Sequence, residues 1–73
     1  MSTTIDARGL SCPQPVLMTL DEIKNGSESE IIVLVDTYTS RENVSRAADS
    51  QGCRVKTVEP EGDGYKIMVE RAR

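Results

Sequence analysis

The order of elements in the sequence predicts an α+β fold. We expect a two-layer α/β sandwich, β-α-β-α-β-β, with a four-stranded mixed sheet and two helices on one face. Three observations carry this. Two stretches with a helical apolar stripe alternate with short strand-like stretches. The C-terminal part alternates apolar and polar residues after a glycine-rich turn. The chain has 73 residues, room for one hydrophobic core near the lower size limit at which a domain stands without a disulfide or metal. With no composition break, linker or repeat, residues 1–73 read as one domain.

Thr3 to Ala7 alternates, with Ile5 and Ala7 on one face, and reads as the first strand; Gly9 breaks it. A helix should start at Cys12-Pro13, because proline suits the first helical position, where its missing N–H has no partner to lose. Val16, Leu17, Leu20 and Ile23 fall on one face of that helix. Asn25-Gly26 stops it, since both residue types tolerate a left-handed C-terminus. Ile31 to Val35 is apolar and mostly β-branched, which suits a strand. It is apolar on both faces, so either apolar surface is left for a partner or this is a central strand flanked by long side chains.

Thr39-Ser40-Arg41-Glu42 matches a capping box, with Thr39 as cap of the second helix. Val44, Ala47, Ala48 and Gln51 form its thin inward stripe, and Gly52 ends it. Cys53 to Glu59 reads as the third strand and Pro60 to Gly64 as a turn. Tyr65, Ile67 and Val69 then alternate with Lys66, Met68 and Glu70, closing a hairpin.

Composition excludes several function classes. The chain has 12 acidic and 9 basic residues, a net charge of −3, two cysteines, two tyrosines, and no histidine, tryptophan or phenylalanine. Without histidine it contains no Ser-His-Asp or Cys-His pair. Two cysteines cannot make a four-ligand structural zinc site, so no metal and no cofactor is expected. An acidic chain with two aromatics makes a poor nucleic-acid platform, so no direct nucleic-acid contact is expected. The N-terminal region lacks the pattern of a secretory signal. The longest apolar run, Ile31 to Val35, is far short of the roughly 20 residues that cross a bilayer. The sequence therefore reads as cytoplasmic, with no membrane contact, and in a reducing cytosol the cysteines are expected as thiols.

The informative segment is Gly9-Leu10-Ser11-Cys12-Pro13-Gln14-Pro15-Val16-Leu17. A thiol at a helix N-terminus gains roughly 0.3–1 kcal/mol from the helix dipole, or about 0.2–0.7 pKa units. From a free value near 8.5, that raises the thiolate fraction at pH 7 from roughly 3% to about 10–15%. Pro13 and Pro15 remove two N–H groups that would otherwise solvate the anion. Arg8 is a further source of positive charge if the fold places it nearby. The prolines make better sense as stiffeners, since each fixes its own φ and restricts the residue before it. A rigidly held, weakly activated thiol suits a carrier whose chemistry is completed by its partner. The plain alternative is a small half-buried residue before a helix.

Asp6-Ala7-Arg8-Gly9-Leu10-Ser11-Cys12-Pro13-Gln14-Pro15-Val16-Leu17 resembles the signature of the TusA/SirA-like sulfur carriers, including their YedF-type members. The resemblance extends through the apolar second strand, Ser50-Gln51-Gly52 and the Glu61-Gly62-Asp63-Gly64-Tyr65 hairpin. It implies the same β-α-β-α-β-β sandwich. It also implies that Cys12 of the CPxP motif accepts sulfane sulfur as a persulfide from a cysteine desulfurase or rhodanese-type donor. The sulfur then passes to an acceptor sulfur-relay protein, in tRNA thiolation, sulfur oxidation or related traffic. For YedF-like members it implies a selenium alternative. Arg8, Gly9, Leu10, Pro13 and Pro15 are the supporting motif positions. On this reading the chain is a sulfurtransferase-type carrier rather than a stand-alone catalyst.

Three further positions stand out. Met18 lies opposite the predicted apolar stripe of the first helix and, with Gln14, is a candidate partner contact. Cys53 reads as a buried small residue, or as a resolving thiol if it lies within reach of Cys12. Arg41, Arg46, Arg54 and Lys56 read as a solvated charged face, or as a basic patch for an acidic partner. Two readings compete with the carrier: a non-covalent regulatory or interaction module that uses the Cys12 corner, and a redox module that pairs Cys12 with Cys53.

Overall fold

The most apolar segment of the chain takes the centre of the sheet. The computed structural model describes residues 2–10 and 14–71. Its elements are β1 (Ser2–Asp6), α1 (Gln14–Asn25), β2 (Glu30–Val35), α2 (Tyr38–Ser50), β3 (Arg54–Glu61) and β4 (Gly64–Glu70). The sheet order is β1-β2-β4-β3. β2 pairs parallel with β1 and antiparallel with β4, and β3 pairs antiparallel with β4. This is the expected α+β sandwich with a mixed sheet.

Register explains the core. Ile5 lies opposite Val33, and Val33 opposite Ile67. One row further along, Ile31 faces Val69, which faces Val55. Ile31, Val33, Val35, Ile67 and Val69 are buried with Val44 and Ala48 of α2. Burying each such aliphatic side chain is worth about 1.5–3 kcal/mol. On the opposite face Ile32 and Leu34 are half-buried, and Ile32 pairs directly with Met68. Beside them Lys56 reaches Glu30 at 3.2 Å. The two-faced apolar character of β2 is thus a central strand whose outer side is partly covered by its neighbours.

The inward face of α1 differs from the expected one. Pro15 and Thr19 are buried, while Val16, Met18 and Ile23 pack against the core. Leu17 faces solvent at 52% exposure. The reason is close approach. The Thr19 hydroxyl donates to the Pro15 carbonyl at 2.9 Å, so a compact polar side chain is buried with its hydrogen bond satisfied. The stripe is rotated by about one position, so Met18 is not the solvent-facing residue the spacing suggested. Gly26 is also not left-handed. A Cβ there would run into the Glu22 carbonyl, which accepts the Gly26 amide at 2.8 Å.

The cap of α2 is Thr37, two residues before the expected Thr39, with its hydroxyl accepting the Ser40 amide at 3.0 Å. Ser40, Val44 and Ala48 form the buried face, and Gln51, placed in the stripe by spacing, is exposed. The helix ends in a Schellman arrangement: Gly52 has φ +81, its amide reaches Asp49, and the Cys53 amide reaches Ala48. β3 runs through Pro60 to Glu61, so the turn is only Gly62-Asp63. Pro60 is tolerated because β3 is an edge strand. A positive φ of 59 at Gly62 and none at Asp63 is the pattern of a hairpin turn with glycine first. Beyond β4, the Arg71 guanidinium donates to the carbonyls of Ile23 (2.5 Å), Glu28 (2.7 Å) and Glu22 (3.2 Å). This clamps the end of α1.

Candidate functional site

The parallel pairing of β1 and β2 brings their C-terminal ends together, where the chain enters the candidate segment. Ala7 extends the ladder past β1, its amide donating to Leu34 at 2.9 Å, and it is fully buried. The chain then leaves the sheet. Gly9 takes φ +80, a conformation that costs other residues a steric penalty. Its amide donates to the Asp36 carboxylate at 2.7 Å. The Leu10 amide reaches back to the Ala7 carbonyl at 3.4 Å. Asp36 immediately follows β2, so the end of one strand holds the loop that leaves the other.

Arg8 is tied to Asp6. Its Nε donates to Oδ1 at 2.9 Å and a terminal nitrogen to Oδ2 at 2.8 Å, and its backbone amide adds a third bond at 3.2 Å. The Arg8 side-chain hydrogen bond is the main reason the Asp6 carboxyl falls from 3.8 to about 2. Arg8 is correspondingly held further above its ordinary range, chiefly by the Asp6 hydrogen bond, with smaller contributions from the charges of Glu61 and Asp36. The charge of Arg8 is therefore matched by a carboxylate, and the pair shapes the turn.

Cys12, with Ser11 and Pro13, lies outside the described residues. The helix starts at Gln14, which is exposed, followed by buried Pro15. Leu10 and Leu17, exposed by 38% and 52%, flank the segment. Met18, expected as a surface contact, packs inward.

Cys53 sits in the core just past the α2 Schellman turn. Three of the four basic residues considered as a patch are near carboxylates. Arg41 pairs with Glu42 at 2.7 Å, Lys56 with Glu30, and Arg54 approaches Glu70 at 4.0 Å. Arg41 also lies over the Tyr38 and Tyr65 rings, 4.4 and 5.2 Å from their centroids.

The sequence does not single out Asp36 as a site residue. The signal that points to it is a carboxylate placed directly after a strand parallel to the one leading into the motif. In such sheets, functional groups collect at the carboxyl ends of strands.

The family model for sulfurtransferase TusA matches residues 3–71. The chain belongs to the TusA family. A SirA-like protein from Desulfitobacterium hafniense has the same fold. Its crystal structure superimposes with a TM-score of 0.83 at 27% identity, covering 97% of this chain and 99% of that one. A Methanocaldococcus jannaschii protein described as "Putative sulfur carrier protein" is 31% identical over 70 residues, 92% of this chain and 91% of its own length. An uncharacterized protein of the same organism is 29% identical over 69 residues; the TusA-like chain here spans 25% of its length. No helix of the described residues is long and apolar enough to cross a membrane.

Proposed function

We propose that this TusA-family chain carries sulfane sulfur as a persulfide on Cys12. The observation that carries the reading is the held loop before that position. Gly9 is fixed by Asp36 on one side, and α1 begins at Gln14 on the other. Flanking Leu10 and Leu17 present apolar surface to a partner. Family membership and the M. jannaschii relative support the sulfur cargo.

The chemistry is thiol exchange without net oxidation. The Cys12 thiolate attacks the terminal sulfur of a donor persulfide. The donor S–S bond breaks, and its inner sulfur leaves as a thiolate that takes up the proton. An acceptor thiolate then attacks the terminal sulfur on Cys12 and restores the Cys12 thiolate. Donor and acceptor are proteins with their own activated thiols, such as a cysteine desulfurase and a sulfur-relay protein. The matched charge of Arg8 and the modest dipole effect leave Cys12 a weak nucleophile by itself, which suits exchange inside a partner's site.

Incubation with a cysteine desulfurase and L-cysteine tests this. Intact-mass analysis is expected to show a gain of one sulfur atom, removed by reductant and absent in Cys12→Ser. A Cys12→Ser chain that still gains the sulfur overturns the assignment. If Cys12→Ser retains full cellular function, the chain acts as a non-covalent interaction module.

A further inference from the structure

We propose that Asp36 is a positioning residue for Cys12; the inference rests on the carrier reading above and extends it to a residue outside the motif. The Asp36 carboxylate and the Gly9 amide are 27 positions apart in sequence and 2.7 Å apart in space. A hydrogen bond to a charged acceptor is stronger than one between neutral groups. Here it is placed where the chain has left the sheet ladder, after the Ala7–Leu34 bond, and where nothing else described fastens the Gly9 amide. Position 12 follows three peptide links after Gly9 and two before Gln14, each link spanning about 3.8 Å between Cα atoms. The described chain on either side of position 12 is held at two places: the helix start, with Pro15 buried, and the Gly9 tether.

The tether also has a firm base. Asp36 directly follows Val35, which is fully buried in the central strand. On its other side, Gly64 packs so tightly that a Cβ would run into the Val35 carbonyl and crowd the Asp36 Cα. Asp36 thus follows directly on a buried, closely packed strand end. The remaining polar groups of the turn are committed elsewhere: Asp6 to Arg8, and the Leu10 amide to Ala7. Exchange of sulfur between two proteins requires the attacking thiolate to be aligned with an S–S bond. Small misplacements of reacting atoms cost rate steeply. A carrier with weak intrinsic activation depends on that alignment more than on thiolate fraction.

The test compares the wild-type chain with Asp36→Ala and Asp36→Asn. Asparagine keeps a side-chain oxygen that can accept the Gly9 N–H and removes the charge. Two quantities are read: the initial rate of sulfur loading from a cysteine desulfurase and L-cysteine, and hydrogen exchange of the Gly9 amide by NMR. Asp36→Ala is expected to slow loading about tenfold and to speed Gly9 exchange by about the same factor. Asp36→Asn is expected to stay within about twofold of wild type in loading. Loading at the wild-type rate in Asp36→Ala overturns the proposal, as does an equal loss in the alanine and asparagine variants. If Asp36→Ala does not fold, the asparagine variant decides: retained loading supports the tether and lost loading overturns it. A wild-type chain that takes no sulfur sinks the carrier reading instead. The tether is then judged by exchange at Gly9, and exchange unchanged in Asp36→Ala overturns it.

Discussion

Asp6 and Arg8 form a two-toothed ion pair on the surface, both more than half exposed, in the same turn that leads to Cys12. Its contribution to stability at that exposure is small, but its titration is diagnostic. The folded carboxyl titrates at about 2 rather than 3.8. A depressed carboxyl contributes stability above its unfolded value and loses it as the pH falls through the folded one. The pair therefore acts fully above about pH 4 and is lost toward pH 2. Carboxyl NMR titration is expected to place the Asp6 midpoint near 2 in the wild type and to return it toward 3.8 in Arg8→Gln. A wild-type midpoint near 3.8 would mean that Arg8 is not held there. That the first strand breaks at Gly9 was legible in the sequence, because glycine is a local signal. The direction in which Arg8 points was not, because both a thiol and a carboxylate lay within reach along the chain.

Among the elements, α2 gives the sharpest discrimination. Two threonines two residues apart both suit an N-cap, and the Thr39–Glu42 spacing made the later one attractive. The fold uses Thr37, whose φ of −133 and ψ of 154 are extended and whose hydroxyl accepts the Ser40 amide. Thr37→Ala is therefore expected to cost about 1 kcal/mol. Thr39→Ala, at an exposed helical position, should stay within about 0.5 kcal/mol of wild type. Chemical denaturation of the two variants checks this, and equal losses would return the cap to Thr39. The earlier start has a tertiary cause: it places Ser40, Val44 and Ala48 toward the sheet, and it brings Arg41 over Tyr38 and Tyr65. The rotation of α1 has the same kind of origin. Hydrophobicity ranks Leu17 above Thr19, but the helix buries Thr19 because its hydroxyl is satisfied within the helix and its compact side chain allows close approach.

For the molecule as a whole, the segment after β4 is joined to the end of α1 and the start of β2 by polar contacts that no local pattern announces. Arg71 closes the structure by binding three carbonyls at and beyond the end of α1, and its amide donates to Ser29 at 2.9 Å. The Ile23 carbonyl is one of the acceptors that a helix C-terminus leaves without a helical partner, whereas Glu22 also accepts the Gly26 amide and Glu28 lies beyond the helix. Arg71→Met keeps much of the apolar stem and removes the donors. It is expected to cost about 2 kcal/mol, in the range for hydrogen bonds to a charged group. In a domain this small that is a large share of the total stability. A urea midpoint that falls with an unchanged slope would locate the loss in the folded state; an unchanged midpoint would show that the carbonyls are satisfied equally well by water.

The sequence by itself determined the order of elements, the Gly52 stop and the family signature around Cys12. All of these depend on neighbours within a few residues, through side-chain period, capping and backbone preference. Tertiary structure alone decided which face of α1 is buried, which threonine caps α2, that Arg71 clamps α1, and that Asp36 holds Gly9. Each of those is a contact or a choice between near-equal local options, settled by strand pairing: once β1 and β2 lie parallel, a carboxylate and an amide 27 residues apart become neighbours.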